Sequence, residues 1–267
     1  MIQKVKVFEA EMNQIKDDKI KKFAEVAVNK LPDYFFEVAA SSTGKYHPAY
    51  SLGTGGLVRH TKAAVGFATT MLGLEFMQNY FTPTEQDLMI VSLILHDGCK
   101  HGLNGSSYTV ATHPLEICDM IRKDEELTSL LPADQLEFIY KAVSSHMGQW
   151  NTDFKTKKEI LPKPETKFEM FVHLCDYLAS RKYLTYEFEG GRYELKNYVL
   201  QKKSEAPASE ESGPQRIIAI CKEKIANGAD RNNLYALIAK HNGGNKNPKT
   251  ITDKKVVENI INELGGM

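Results

Sequence analysis

The stretch LMIVSLILHDGCKHG, residues 88–102, constrains the fold of this chain more than any other. Between positions 89 and 95 every residue is apolar except Ser92, so a helix here has no polar face to turn to water. Such a helix belongs at the centre of a bundle, covered on all sides. The run ends in His96, Asp97, Gly98, Cys99, Lys100 and His101. A carboxylate and an imidazole at the end of a buried helix are costly unless their charge is compensated. A divalent metal compensates them well, because neutral imidazole and ionised carboxylate are both good ligands. The competing reading is a solvent-facing helix end with ordinary polar caps, and this short window does not choose between the two.

The chain of 267 residues suits one large domain, or one domain with an appendage. Lys plus Arg and Asp plus Glu number 34 each, so no net field draws nucleic acid or an anionic membrane, and such binding needs a local patch. No apolar run approaches the length of a membrane span, so no membrane partner is expected. The opening residues, MIQKVKVFEAEMNQIKDDK, are charged throughout and lack a signal-peptide core. Cys99, Cys118, Cys175 and Cys221 are widely spaced with no CxxC pair. They read as reduced packing thiols in a cytoplasmic protein, which makes cysteine-held zinc an unlikely arrangement.

Helical signals dominate. Ile20, Phe23, Ala24, Ala27 and Leu31 recur at helical spacing after Asp17, and Pro32 closes that helix. The loop SSTGKYHPAYSLGTGG precedes a long predicted helix over 57–80 that carries His60. Thr82, Pro83 and Glu85 form a capping-box start for the greasy helix. His113-Pro114 opens another helix, and Pro132 a further one with His146 toward its end. KTKKEILPKPETK reads as an exposed basic loop, and Thr166 to Glu169 as a second capping box for the helix around Asp176. One segment, YEFEGGRYEL, predicts a short β-hairpin about Gly190-Gly191. The expected organisation is a main domain over 1–201, a polar linker over 202–214 and a small helical module over 215–267. The fold class is all-α.

The acidic and imidazole groups set among apolar residues or at helix ends are His60, His96, Asp97, His113, His146 and Asp176. They lie on five predicted helices, so only the fold can unite them. Asp176, in the middle of FVHLCDYL, needs a cation if it faces the core. It needs none if it lies on a polar face with Lys167 or Arg181.

The order His, His-Asp, His, His, Asp resembles that of the HD-domain metal-dependent phosphohydrolases. Lys45-Tyr46-His47-Pro48-Ala49-Tyr50 and Gly55-Gly56-Leu57-Val58-Arg59-His60-Thr61 look like that superfamily's approach to its first ligand. Leu95-His96-Asp97-Gly98-Cys99-Lys100 resembles its signature doublet with trailing lysine. Ser145-His146-Met147-Gly148, with Trp150 close behind, resembles the later histidine motif of bacterial HD-domain 3′-to-5′ exoribonucleases. The resemblance covers roughly residues 47–181. It implies an HD-type helical bundle in which His60, His96, Asp97 and Asp176 hold one metal and His113 and His146 a second, with Asp97 bridging. Two metals would ionise a water and relieve charge on a phosphoryl group, and mixed N/O ligation suits Mn²⁺, Fe²⁺, Co²⁺ or Zn²⁺, with Mg²⁺ a further candidate.

Asp97 and Lys100 are the candidate catalytic pair, Lys100 steadying the phosphate as a point charge. His47 and Arg59 are candidate substrate contacts, or plain loop and surface residues. His101 ranks below them, His173 reads as a support or packing residue one turn from Asp176, and His241 belongs to the tail. Cys99 beside Asp97 has the wrong electrostatics for a thiolate nucleophile.

Three functions follow as expectations. The first is a phosphodiesterase or 3′-to-5′ exonuclease, with the lysines between 155 and 167 guiding a single strand. The second is a nucleotide or deoxynucleotide phosphatase. The third, of another class, is a non-catalytic scaffold binding a nucleotide or a partner. The C-terminal module is a candidate surface for a homo-oligomer or a protein partner.

Overall fold

A computed structural model describes residues 2–41, 44, 47–188, 213–226 and 229–265. Among them are thirteen α-helices and no strand, so the fold is all-α. The chain divides into two compact units, Met1–Lys202 and Lys203–Met267. The predicted hairpin turn at Gly190-Gly191 and most of the predicted linker lie outside the described residues.

In the first unit the helices are α1 (Lys4–Val7), α2 (Glu9–Met12), α3 (Asp18–Lys30), α4 (Gly56–Leu72), α5 (Glu75–Tyr80), α6 (Pro83–Leu95), α7 (His113–Lys123), α8 (Glu125–Leu130), α9 (Ala133–Ser144) and α10 (Lys167–Ala179). The unbroken apolar run sits where its composition requires. Every residue of α6 from Asp87 onward is buried, and the helix packs against α3, α4, α9 and α10. Its start is a full capping box: Glu85 N–H donates to the Thr82 hydroxyl, and Thr82 N–H to the Glu85 carboxylate. Its one fully buried charge, Asp87, accepts the N–H groups of Lys16 and Asp17 at 3.1 and 2.8 Å, tying the start of α3 to the bundle.

Several boundaries differ from the sequence reading. The helix expected over 57–80 is two helices, because the chain leaves helical geometry at Leu74 after Gly73. Glycine lowers helix stability there, and no residue of α5 is fully buried to hold the run together. The charged opening residues fold into two single turns, α1 and α2, that bury Val7, Phe8 and Met12. The short helix α8, capped by Asp124, was not anticipated. At α10 the Thr166 hydroxyl does accept from Glu169 N–H, but the Glu169 carboxylate turns to the Glu165 N–H and the Thr166 hydroxyl, so the second capping box is not reciprocal.

The second unit has its own core of Ile217, Cys221, Leu234, Ile238, Ile251, Val257, Ile260 and Leu264. Its helices are α11 (Gly213–Ala226), α12 (Arg231–His241) and α13 (Lys254–Gly265). Helix α11 takes in Gly213 and Pro214, which the sequence reading gave to the linker; proline fits a first turn, where its missing N–H is no loss. No helix among the described residues is long and apolar enough to cross a membrane.

Candidate metal centre

Five mutually packed segments of the first unit deliver six side chains to one point. His60 stands on α4, His96 and Asp97 just past the end of α6, His113 at the start of α7, His146 just past α9, and Asp176 on α10. Three overlapping groups, His60–His96–Asp97, His96–His146–Asp176 and Asp97–His113–His146, each keep their ligand atoms within 4.8 Å of one another. These buried groups could hold a metal ion. The four imidazoles and Asp97 are all at most 1% exposed, while the side chains of Asp176 and Lys100 keep 17% and 11%, so solvent reaches the cluster beside those two.

Local backbone explains the placement of the first ligand. Gly55 takes a left-handed conformation (φ +71°), and a Cβ at Gly56 would lie 2.2 Å from the Ser51 carbonyl oxygen. Two glycines therefore let α4 begin hard against the preceding loop, one turn before His60.

Asp97 divides its two oxygens between two sets of imidazoles. Oδ2 lies 3.7 Å from His60 Nε2 and 3.5 Å from His96 Nε2, and the Lys100 ammonium sits 2.5 Å away. Oδ1 faces His113 Nε2 at 2.9 Å and His146 Nε2 at 3.7 Å. Asp176 Oδ1 closes the first set, 2.9 Å from His60 Nε2 and 3.5 Å from His96 Nε2.

Three of the imidazoles are oriented by one device. Nδ1 of His96, His113 and His146 lies 2.6, 2.7 and 2.7 Å from the carbonyl oxygen three residues earlier, of Leu93, Val110 and Val143. A carbonyl only accepts, so Nδ1 carries the proton and Nε2 of a neutral ring is a bare lone pair. His96 and His146 can do this because the last carbonyls of α6 and α9 have no partner within their helices. The lone pairs then point at carboxylate oxygens, which also only accept. Asp97 Oδ1, His113 Nε2 and His146 Nε2 are accordingly buried with no hydrogen-bond partner.

Protonation relieves only one side of this arrangement. For His96, burial disfavours the imidazolium, but the charges of Asp97 and Asp176 outweigh it and raise the pKa. On the Oδ2 side the Lys100 ammonium and the raised proton affinity of His96 both answer the two carboxylates. His113 moves the other way: burial lowers its pKa more than Asp97 raises it, so the ring is neutral at neutral pH. Both carboxyls stay ionised. Burial would raise Asp97, but Lys100 and then His96 hold it well below the usual range, and His60 and His96 do the same for Asp176. A carboxylate oxygen facing two acceptor nitrogens in a dry interior is thus left without a cation of the protein's own. Soft–hard mixed N/O donors of this kind suit first-row divalent metals, and the carbonyl ends of α6 and α9 add negative potential there.

Comparison with protein-family models, with curated proteins and with solved structures finds no match to this chain. The geometry therefore carries the functional argument by itself.

The other sequence candidates divide. Lys100 is at the cluster, on Asp97. His47 is beside it, its ring 5.8 Å from that of His60, and burial, then His60 and Lys100, push its pKa down to about 4. Arg59 is not a surface residue: it is 3% exposed, and its guanidinium donates to the carbonyls of Tyr50, Leu52 and Thr54, fastening the 48–55 loop. His101 stacks on Tyr34 at 5.6 Å, and His241 pairs with Glu263 at 2.8 Å in the second unit. Cys99 is wholly buried, and burial pushes its thiol up to about 12, far from a thiolate. His173 supports the site, its Nδ1–H donating to the His146 carbonyl at 2.6 Å. Clefts of about 670 and 410 Å³ elsewhere on this unit are lined by residues of α1–α3 and of the α4–α6 region, with no imidazole among them.

The carbonyl locks went unread in the sequence. Their signal was present, since a histidine one or two residues past a helix end has a free carbonyl three residues back.

Proposed function

We propose that this chain is a metal-dependent phosphohydrolase of the HD-domain kind, cleaving a phosphoester of a nucleic acid or nucleotide as a phosphodiesterase or 3′-to-5′ exonuclease does. The observation that carries the reading is the acceptor-only surround of Asp97 Oδ1, which lies 2.9 Å from His113 Nε2 and is buried with no donor. In this reading His60, His96, Asp97 and Asp176 hold one cation, and His113 and His146 hold a second, with Asp97 shared. The split of the Asp97 oxygens between the two sets supports that sharing. The bound cations would supply an ionised water at neutral pH and relief of charge on the phosphoryl oxygens.

The chain's own residues do the rest. The carbonyl locks aim Nε2 of three imidazoles at the carboxylates before any cation arrives, which limits reorganisation in the binding step. Lys100 keeps Asp97 ionised and, in this reading, steadies a phosphoryl oxygen as a point charge. Water oxygen bonds to phosphorus, the phosphorus–oxygen bond to the leaving group breaks, and the proton lost by the water ends on the leaving oxygen.

The test is the full chain with Mn²⁺ against nucleoside mono- and triphosphates, cyclic nucleotides and short RNA and DNA, beside Asp97→Asn. A neutral amide is a poorer ligand, so metal content and turnover fall together. An Asp97→Asn protein with full metal and full activity would overturn the reading. The same panel separates an internal phosphodiester from a terminal phosphate. Binding without turnover under every metal would indicate a scaffold.

A further inference from the structure

The only tryptophan of the chain, Trp150, is 47% exposed. Leaving that much indole in water is unfavourable, and here it is also organised. The Trp150 ring lies nearly parallel to Tyr177, with centroids 5.8 Å apart and planes 16° apart. The Arg181 guanidinium is 4.0 Å from the Tyr177 centroid and 5.7 Å from that of Trp150. It is held there by the Tyr177 carbonyl at 3.1 Å and the Ser180 hydroxyl at 2.7 Å.

This stack is built onto the metal centre. Tyr177 follows Asp176 directly. Trp150 touches His173, with rings 6.5 Å apart, and His173 grips the carbonyl of His146. Two of the six proposed ligands thus share their backbone with the platform.

Beyond Trp150 the chain makes a loop stapled at its neck. The Asn151 carbonyl accepts the N–H groups of Ile160 and Leu161, and its side-chain amide donates to the Leu161 carbonyl. Phe154, 84% exposed, and the Lys157 ammonium 4.5 Å over its ring stand at the outer end. Positions 150–163 hold four lysines against two carboxylates. Asp153 is turned inward onto the loop's own Lys155 and Thr156 N–H groups, and Glu159 is paired with Lys163. Lys155, Lys157 and Lys158 make no ion pair among the described residues.

We infer that Trp150, Tyr177 and Arg181 form a nucleobase platform, and that the Phe154–lysine loop leads a single strand of nucleic acid away from the metal centre. The inference rests on the phosphohydrolase reading and names its substrate class. Flat exposed rings alternating with cations match a ligand whose flat rings alternate with phosphates. A mononucleotide has one ring and one phosphate group and would not reach the loop. A partner helix would need an apolar groove, where these rings stand among charges.

Because Trp150 is the sole tryptophan, fluorescence excited selectively at tryptophan, beyond the absorption of the twelve tyrosines, reports this platform alone. The full chain, treated with chelator so that nothing is hydrolysed, is titrated with a short single-stranded RNA or DNA. Saturable, salt-sensitive quenching is expected. Anisotropy of a labelled oligonucleotide then compares variants whose fold is checked by circular dichroism. Trp150→Ala should weaken binding about 5- to 150-fold, the effect of losing one stacked base, and Trp150→Phe much less. Arg181→Ala should weaken it as well. The triple variant Lys155→Ala, Lys157→Ala, Lys158→Ala should weaken the oligonucleotide while leaving a mononucleotide unaffected.

Unchanged fluorescence with the oligonucleotide, or equal affinity in Trp150→Ala and wild type, overturns the inference. So does equal quenching by an acidic peptide, which would make the face a protein-binding one. Metal-dependent hydrolysis of mononucleotides with no strand binding would leave the phosphohydrolase reading standing and remove this one. Strand binding that maps to Trp150 with no hydrolysis under any metal would do the reverse.

Discussion

Replacing Asp176 by asparagine distinguishes a metal centre from a buried hydrogen-bonded cluster, because only in a metal centre does the loss grow when metal is added. Asp176 Oδ1 is 2.9 Å from His60 Nε2 and 3.5 Å from His96 Nε2. If the cluster were complete without metal, those contacts would be charge-assisted hydrogen bonds from imidazolium, worth about 1.5–3 kcal/mol. Asp176→Asn would then destabilise the metal-free protein by that amount. In the metal-free protein His60 and His96 favour the ionised Asp176 under either reading, so that loss alone does not distinguish them. The chelator-treated variant should therefore melt below the wild-type midpoint, and the response to metal decides. Metal at 100-fold over its Kd should stabilise wild type by about 2.7 kcal/mol. For a unit of the size of Met1–Lys202 each kcal/mol moves the midpoint roughly 2–4 °C, so the rise is about 5–11 °C. The variant, short of one ligand, should keep less than half of it. Thermal unfolding with chelator and with Mn²⁺ reads both quantities. A wild type indifferent to metal, or a variant that gains as much from metal as wild type does, would refute the reasoning.

Other outcomes are equally specific. Lys100→Ala should retain its metal, measured by elemental analysis, yet lose on the order of 10²–10³ in single-turnover rate, as expected for removal of one electrostatic contact to the reacting group. Gly148→Ala places a Cβ 2.2 Å from the His173 ring at a left-handed position (φ +57°). It should strain the turn by about 1–2 kcal/mol and, by shifting the residue that grips the His146 carbonyl, weaken metal binding about 10- to 100-fold in a chelator competition. Glu85→Gln keeps the capping geometry and loses the charge. Burial raises the Glu85 pKa, but the Thr82 N–H and Lys167 outweigh it, so the folded value is lowered. The stability advantage of wild type should be present at neutral pH and disappear as pH falls through the carboxylate range; an advantage that grows in acid would contradict the assignment.

What could be read in advance followed from physics that acts locally. An apolar run with no polar face has one place to go, and α6 went there; Thr82, Pro83 and Glu85 cap it as their chemistry requires. His60, His96, Asp97, His113, His146 and Asp176 stand out because each is a polar group among apolar neighbours or at a helix end, and the structure brings all six together. The burial of Arg59 was not legible, because a sequence does not say that a loop will wrap back over a side chain; it depends on carbonyls at 50, 52 and 54 folding toward α4. The first two turns were missed for a related reason, since Val7, Phe8 and Met12 are apolar residues diluted by charged ones. Trp150 was visible only as a neighbour of His146. Its stack with Tyr177 and Arg181 joins residues about thirty positions apart, and only packing of α10 beside the loop after α9 creates it.

Anomalous diffraction at the metal edge, from crystals of the full chain loaded with Mn²⁺, tests the central claim most directly. The expected result is one peak among His60 Nε2, His96 Nε2 and the Asp97 and Asp176 carboxylates, and a second among Asp97 Oδ1, His113 Nε2 and His146 Nε2. Both should vanish in Asp97→Asn. A cluster that stays free of anomalous signal at saturating metal, with His113 Nε2 still against Asp97 Oδ1, would contradict it.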